Sequence, residues 1–545
     1  MYFFNFMLKS SYKEGETMKT IFPDYNNCLT SLSNSILKKY GLNTYHNTLQ
    51  EVDELLKNDY KNIIILLYDG MGSRILDKTL EKDSFLIKNK LCDITSVFPA
   101  TTAAATTSLL SGLNPYEHGY LGWDVYFDDI DKTITVFRNT IKDTKEPIDI
   151  DIKEKLKYKS IIELINNETE YSAYSLFPFG LGAYENLDML YKQIINLSKL
   201  DGKKFIYAYV DEPDYSLHEY GVSDIKIKEL INKFNKDVEN LSNNLEDTLL
   251  IITADHGHVE SNPVYLEDYP DIFNLLDRTT SIDSRATAYK IKSNKKDEFE
   301  TLFNKHFGND FKLYTKEEVI KNKFFGDGNK NKYFDSAIGD YLSIGIGNKY
   351  IKYNSYKEKD PIFKSHHAGI TEDEVLIPLI TISKKENIED GIIREIEFKD
   401  YKQVKKIADS IIRLRYTKRK DVFQIGASYS QNDFYNLSKK IDDRLCVVYE
   451  VNKEILGMME LRITCTSGNI RYNYMSSLII ENIAVKEEYR RQKIATKLYE
   501  YAVKYAKKRR VFNIKIKCYE FNTDMKKFIK SLSMKPYETE YEYKL

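Results

Sequence analysis

Three apolar runs stand out in the N-terminal half of the chain: Ile63-Ile64-Ile65-Leu66-Leu67-Tyr68, Phe205-Ile206-Tyr207-Ala208-Tyr209-Val210 and Leu249-Leu250-Ile251-Ile252-Thr253-Ala254. None alternates polar with apolar positions, which predicts strands buried on both faces of a parallel sheet. Helical periodicity lies around them. Residues 27–41 place Leu29, Leu32, Ile36 and Leu37 on one stripe, and residues 224–244 repeat the pattern. Strand alternating with helix predicts an α/β class, an open and mostly parallel sheet sandwiched by helices. WDVYFDDIDKTITVF (123–137) predicts a hairpin, KKDEFETLFNKHFG (295–308) a helix, and FFGDGNKNKYF (324–334) a loop of turn composition. Residues 120–200 and 270–360 therefore read as insertions around the sheet.

The pattern changes after residue 385. IIREIEFKDYKQVKKIADSI reads as a strand then a helix, RLCVVYEVNKEILGMMELRIT as a hairpin, and SSLIIENIAV as a further strand. YRRQKIATKLYEYAVKYAKKRR (489–510) is a basic amphipathic helix whose apolar stripe is Ile494, Leu498, Tyr501, Ala502 and Tyr505. This order predicts a separate α+β domain. A chain of 545 residues exceeds one ordinary core. The expected division is an N-terminal extension and leading helix (1–59), a sheet-bearing domain (60–385), a linker (386–391) and a second domain (392–545).

Charge sharpens that division. The formal net charge of −1 conceals a net of −14 over residues 1–390 and +13 over residues 391–545. An acidic module joined to a basic one predicts different ligands for each. The basic helix carries no recognised nucleic-acid-binding module, so no nucleic-acid partner is expected. Cys28, Cys92, Cys446, Cys465 and Cys518 are odd in number and widely spaced, without a CxxC pair. They predict reduced thiols and a cytoplasmic setting. No later segment reaches about 18 uninterrupted apolar residues, so no transmembrane helix or membrane partner is expected. The opening MYFFNFMLKSS is too short to span a bilayer and lacks a basic n-region, and Met18 is an alternative start.

Candidate chemistry follows the apolar runs. The first ends at Asp69, the second at Asp211 with Asp214 beyond it, and the third at Asp255-His256. In open α/β sheets ligands bind outside the carboxyl ends of the strands, so these carboxylates share one rim. His218, four residues after Asp214, shares its face if the segment is helical. His256 and His258 lie in TADHGH, and His366 and His367 occur far along the chain. Mixed Asp and His donors suit zinc or a similar first-row divalent ion such as manganese. Thr101 and Thr102 open a run of small residues suited to a helix start. There a hydroxyl beside strand-end carboxylates becomes a metal-activated nucleophile.

Together these segments resemble the alkaline phosphatase superfamily, and within it the nucleotide pyrophosphatase/phosphodiesterase type, over about residues 60–385. The resemblance rests on YDGMG (68–72), FPATTAAATTSLLSGLNPYEHG (98–119), DEPDYSLHEYG (211–221), TADHGH (253–258) and SHHAGITEDEVLIPL (365–379). It implies two divalent ions, one held by Asp69, Thr102, Asp255 and His256, the other by Asp214, His218 and His367. Thr102, rather than Thr101, is the implied nucleophile on a small-molecule phosphoester, with a phosphonate as the alternative. His366 is not an implied ligand, and His258 is assigned a structural role. Ala105 departs from the pattern, because the nucleotide-cleaving members carry an Asn there that holds a phosphoryl oxygen.

Residues 392–545 resemble the GNAT acetyltransferases. Their phosphate loop corresponds to Arg490, Arg491, Gln492, Lys493, Ile494, Ala495 and Thr496, and Asn522 follows the strand FNIKIKCYE. The resemblance implies acetyl-CoA as cofactor, an amine as acetyl acceptor, and pyrophosphate cradled by backbone N–H groups at a helix N-terminus. Lys493 departs from the family's first loop glycine and Ile529 from a frequent tyrosine acid. Glu481, on the central strand, is the candidate base.

Overall fold

The computed structural model describes residues 18–180, 182–353, 362–384, 391–424, 430–440, 444–466, 475–490 and 492–538. The expected linker therefore falls almost wholly outside the described residues, as do Arg491 of the phosphate loop and the start up to residue 17. The chain divides into two compact units, Met1–Glu386 and Asn387–Leu545.

The N-terminal unit is built on a six-stranded sheet. Its strands are β1 (Asn62–Tyr68), β2 (Lys90–Thr95), β3 (Ser172–Leu176), β4 (Lys204–Val210), β5 (Thr248–Thr253) and β6 (Leu376–Lys384), in the order β2-β6-β5-β1-β4-β3. β1 runs parallel to β4 and β5, and β3 parallel to β4, whereas β6 runs antiparallel to β5 and β2. Every residue of β1, β4 and β5 is buried, because helices cover both faces. The in-register pairing of Tyr68 with Val210 and of Leu67 with Thr253 brings three carboxyl ends to one rim.

Helix α1 (Leu29–Lys39) lies against α2 (Thr102–Ser111). Ser33 Oγ donates to the Leu109 carbonyl at 2.7 Å and Asn34 Nδ2 to the Gly112 carbonyl at 2.9 Å. These buried polar groups satisfy carbonyls that the end of a helix leaves unpaired. The leading helix thus braces the helix that starts at Thr102.

Most of the expected insertions gather into a second, antiparallel sheet. Its strands, in spatial order, are Phe311–Thr315, Tyr341–Gly345, Ala286–Tyr289, Ser281–Ile282, Asp124–Phe127, Lys132–Thr135 and Thr140–Ile141. Not all of residues 120–200 joins it: Ser172–Leu176 pairs in parallel with Lys204–Val210 as β3, an edge strand of the main sheet. Asp124–Phe127 and Lys132–Thr135 form the hairpin expected from the sequence, and Lys296–Phe307 the expected helix. At Ile282 the backbone takes φ +78°, a left-handed conformation that costs a β-branched residue energy. The next residue, Asp283, accepts a hydrogen bond from Thr101, the neighbour of Thr102.

The C-terminal unit is an α+β fold. Strands β7 (Ile392–Glu395), β8 (Arg444–Val451), β9 (Glu454–Thr466), β10 (Met475–Val485) and β11 (Asn513–Ile516) follow one another across the sheet. All neighbours are antiparallel except β10 and β11. One face is covered by α3 (Ile494–Lys508) through Ile494, Leu498, Ala502 and Ala506. The other is covered by Tyr401–Lys418 through Val404, Ile407 and Ala408. Among the described residues no helix is long and apolar enough to cross a membrane.

Candidate metal centre and cofactor loop

Three strand ends and one distant turn deliver the polar groups. Asp69 follows β1, and its N–H donates to the Val210 carbonyl at 2.8 Å. Asp214 opens the short helix Asp214–Tyr220, its N–H donating to the Asp69 carbonyl at 3.0 Å. Asp255 and His256 follow β5, and His367 comes from the turn before β6. Asp211, although it ends β4, is exposed and stands outside the cluster.

Two groups of side chains offer ligand atoms that all lie within 4.8 Å of one another: Asp69, Asp255 and His256, and Asp214, His256, His258 and His367. His256 belongs to both. His218 stands beside the second group, its Nε2 3.4 Å from Asp214 Oδ1. His366 is buried next to Tyr350 and joins neither.

Thr102 and Thr101 face different ways. Thr102 Oγ1 lies 3.3 Å from Asp69 Oδ2 and 3.3 Å from His256 Nε2, at the first residue of α2. Thr101 Oγ1 donates to Asp283 Oδ2 at 2.9 Å and is fully buried. Ala105 is also fully buried, among apolar neighbours, and supplies no polar group to the site.

The imidazoles are oriented from behind. His218 Nδ1 donates to the Ser365 carbonyl at 2.8 Å, His256 Nδ1 to the Gly257 carbonyl at 3.2 Å, and His367 Nδ1 to the Ala100 carbonyl at 3.2 Å. A carbonyl only accepts, so in each ring Nε2 is the atom left facing the carboxylates. Such outer hydrogen bonds orient metal-ligating histidines. His258 differs, because its Nε2 lies 2.6 Å from Asp214 Oδ1, a hydrogen bond to that carboxylate.

The charges are unbalanced. Burial pushes Asp69 well above the usual carboxylate range, and the charge of Asp214 adds to the effect. Burial and then Asp69 do the same to Asp255. Asp214 itself is held low, because His218, His258 and His256 outweigh its burial. Burial lowers His367 well below its ordinary value and His258 to about 3. Asp255 Oδ2 is buried without a hydrogen-bond partner. Carboxylate oxygens and Nε2 atoms converge with one orphaned acceptor among them, so the donor set fits divalent cations.

Several participants carried no sequence signal. Tyr209, on β4, donates its hydroxyl to Asp69 Oδ2. Ser365 accepts from His218 through its carbonyl and meets His258 Nδ1 with Oγ at 3.1 Å. Asp283 has its carboxyl pushed up to about 6 by burial.

In the C-terminal unit, Lys493 caps α3 at φ +59° and ψ 8°. It keeps the left-handed backbone that glycine adopts freely. Arg490, Gln492, Ile494, Ala495 and Thr496 flank it, Ile494 being buried in the core and Gln492 Oε1 buried without a partner. Asn522 caps Thr523–Ser531, its side chain accepting from the Met525 N–H at 3.1 Å. Glu481 is the extra residue of β10 where the register with β9 shifts, and Arg462 Nε donates to it at 2.7 Å. Glu460, missed from sequence, is buried nearby and accepts from Asn482 Nδ2 at 2.5 Å. Burial raises its pKa.

Residues 63–369 match the type I phosphodiesterase / nucleotide pyrophosphatase family, and residues 409–534 match the acetyltransferase (GNAT) family. Comparison with curated proteins gives no match. Among solved structures, murine ectonucleotide pyrophosphatase/phosphodiesterase 5 is 17% identical over 60% of this chain and 89% of its own, at a TM-score of 0.47. An inactive form of the murine protein in complex with AMP covers 60% and 88% at 17% identity, at a TM-score of 0.46. A mutant of the BH1408 protein from Bacillus halodurans is 22% identical over 28% of this chain and 99% of its own, at a TM-score of 0.28.

Proposed function

Because the chain belongs to the type I phosphodiesterase / nucleotide pyrophosphatase family and carries a GNAT domain after it, we propose that it is a bifunctional enzyme. The first unit is a two-metal hydrolase of phosphoester or phosphoanhydride bonds that uses Thr102 as nucleophile. The second is an acetyl-CoA-dependent N-acetyltransferase. The observation that carries the first reading is the position of Thr102 Oγ1, 3.3 Å from both Asp69 Oδ2 and His256 Nε2, at the N-terminus of a ten-residue helix.

One ion would be held by Asp69, Thr102, Asp255 and His256 and the other by Asp214, His218 and His367. Bound there, divalent ions would lower the pKa of the hydroxyl and neutralise charge on the phosphoryl oxygens. The residues do the rest. Thr102 Oγ1 attacks phosphorus, its O–P bond forms, and the bond from phosphorus to the leaving oxygen breaks. The hydroxyl proton has an acceptor in place in Asp69, itself oriented by Tyr209. Water then cleaves the threonine ester and restores the hydroxyl. Backbone N–H groups at the start of α2 would hold the phosphoryl oxygens in place of an Asn side chain, which Ala105 cannot supply.

In the second unit, the turn at Lys493 and the first N–H groups of α3 would receive the pyrophosphate of acetyl-CoA. Glu481 would take the proton of the acceptor amine. The fusion motivates a shared metabolite that bears both an amine and a phosphoryl group.

A panel of p-nitrophenyl phosphate monoesters, diesters and phosphonates, run with Zn²⁺ or Mn²⁺ after chelation, tests the first activity. The expected result is metal-dependent turnover with diesters preferred. Release of inorganic phosphate from an unesterified phosphonate assayed alongside, in preference to turnover of the esters, would move the assignment to carbon–phosphorus cleavage. A panel inactive with either metal, alongside acetyl-CoA turnover, would leave the first unit as a binder of phosphorylated ligands.

A further inference from the structure

A fully buried ion pair connects the two turns that carry the histidine ligands. Arg285 Nε donates to Glu374 Oε1 at 2.6 Å and Nη2 to Oε2 at 2.9 Å, and neither residue is exposed to solvent. Further hydrogen bonds hold each group in place. Arg285 Nη1 donates to the carbonyls of Gly347 and Lys349 at 2.9 and 2.6 Å. The Glu374 carboxylate accepts from the Gly369 N–H at 2.7 Å, the Thr371 hydroxyl at 2.7 Å and the Thr371 N–H at 3.2 Å.

The same residue reaches the other turn through its backbone. The Glu374 carbonyl accepts from the Gly257 N–H at 2.8 Å. Gly257 separates His256 from His258, and Gly369 lies two residues after His367. Contact is close on both sides. A Cβ at Gly257 would stand 2.0 Å from the Asp373 carbonyl oxygen, and one at Gly369 would stand 2.7 Å from Glu374 Oε2. Between His367 and Gly369, Ala368 is held at φ +87°, a conformation that L-residues seldom adopt. The His256 and His367 rings, one from each turn, stack at a centroid separation of 3.8 Å.

Buried ion pairs are poor stability devices, because desolvation offsets much of the attraction, whereas a bidentate pair fixes geometry. We propose that Glu374, held by Arg285, is the positioning residue that sets the spacing of His256 and His367 and so the affinity of the centre for its ions. This rests on the metal reading above. A single residue holds both turns, the carboxylate one and the backbone carbonyl the other, so a shift of its side chain moves His367 relative to His256.

The test uses the full chain, wild type and Glu374→Gln, with three readouts: zinc affinity by competition with a chromophoric chelator, the visible spectrum of the Co²⁺-loaded protein, and thermal unfolding in chelator. The expected result for Glu374→Gln is a loss of about 10–100-fold in zinc affinity, with altered Co²⁺ bands. Zinc affinity and Co²⁺ spectrum that match wild type, with only a lowered melting temperature in chelator, would make the pair a structural element and overturn the proposal. If Glu374→Gln does not fold, Arg285→Lys keeps the charge but loses the planar fork. It is expected to weaken zinc binding several-fold, and an unchanged affinity and spectrum there would overturn the proposal equally. A wild-type chain that binds no zinc would instead overturn the metal reading, and the proposal with it.

Discussion

The two units build their sites from different materials. In the N-terminal unit the candidate site is made of side chains: carboxylates and imidazoles from beyond three strand ends and from one distant turn. In the C-terminal unit the proposed cofactor loop is a backbone feature, a left-handed turn at Lys493 that opens α3. A side-chain site needs particular residue types at particular places. A backbone site tolerates a lysine where glycine is usual, provided the chain still turns to φ +59°. The first kind of site can lose its function through one substitution, whereas the second degrades gradually.

The largest expected effect separates the units outright. Chelation should abolish phosphoester hydrolysis and leave acetyl transfer unchanged, as read by parallel assays before and after Zn²⁺ is restored. Equal loss of both activities would break the comparison. Next, Thr102→Ala should lower the hydrolytic rate on the order of 10³-fold or more while the zinc content holds near wild type. This follows from the non-additive losses seen when a nucleophile is removed. Thr101→Ala should change hydrolysis far less, since its hydroxyl is spent on Asp283.

Asp283 gives an effect of intermediate size. Its folded pKa, pushed up to about 6 by burial, lies above the unfolded value of 3.8. The folded form therefore binds more protons between these values, and stability is lost as pH rises through the folded pKa. Asp283→Asn keeps an acceptor for Thr101 and removes this dependence. It should raise the melting temperature at pH 8 relative to wild type more than at pH 4, by an amount equivalent to about 2–3 kcal/mol at most. A parallel shift at both pH values would contradict the assignment. The smallest effect belongs to the backbone site. Lys493→Gly should relieve left-handed strain worth up to about 1 kcal/mol, seen as tighter acetyl-CoA binding or a higher melting temperature. A clear loss in both would show that the lysine side chain itself contributes to the loop.

Much of the first site was legible in the chain, because its carboxylates lie just beyond recognisable buried strands and histidine is rare in this sequence. Asp69, Asp214, Asp255 and His256 could be read as a rim of polar groups beyond the buried strands, and the structure places His256 in both clusters; His367, from the turn before β6, entered only through the resemblance. What orders them was not legible. Glu374 occurs in a Thr-x-x-Glu pattern that reads as a helix-capping box, and the box is present. Nothing local shows that the same carboxylate also meets an arginine 89 positions away. Asp283 and Tyr209 are equally silent, since a lone carboxylate in a loop and a tyrosine in a buried strand are ordinary. In the second unit, a glutamate inside the apolar strand LGMMELRI was a usable signal for buried Glu460. Glu481, placed on the central strand from sequence, is engaged by Arg462 instead of standing free. Insertions were visible as interruptions of the strand–helix rhythm, but their assembly into one seven-stranded sheet depends on pairings that span most of the unit.

The most direct test of the central claim is mass spectrometry of the peptide containing Thr102, taken from zinc-loaded enzyme quenched in acid during turnover of a phosphodiester. A phosphoryl ester on Thr102, formed within the first turnover and absent from Thr102→Ala, is the predicted result. Full product formation with Thr102 unmodified at every quench time, and an undiminished rate in Thr102→Ala, would contradict it.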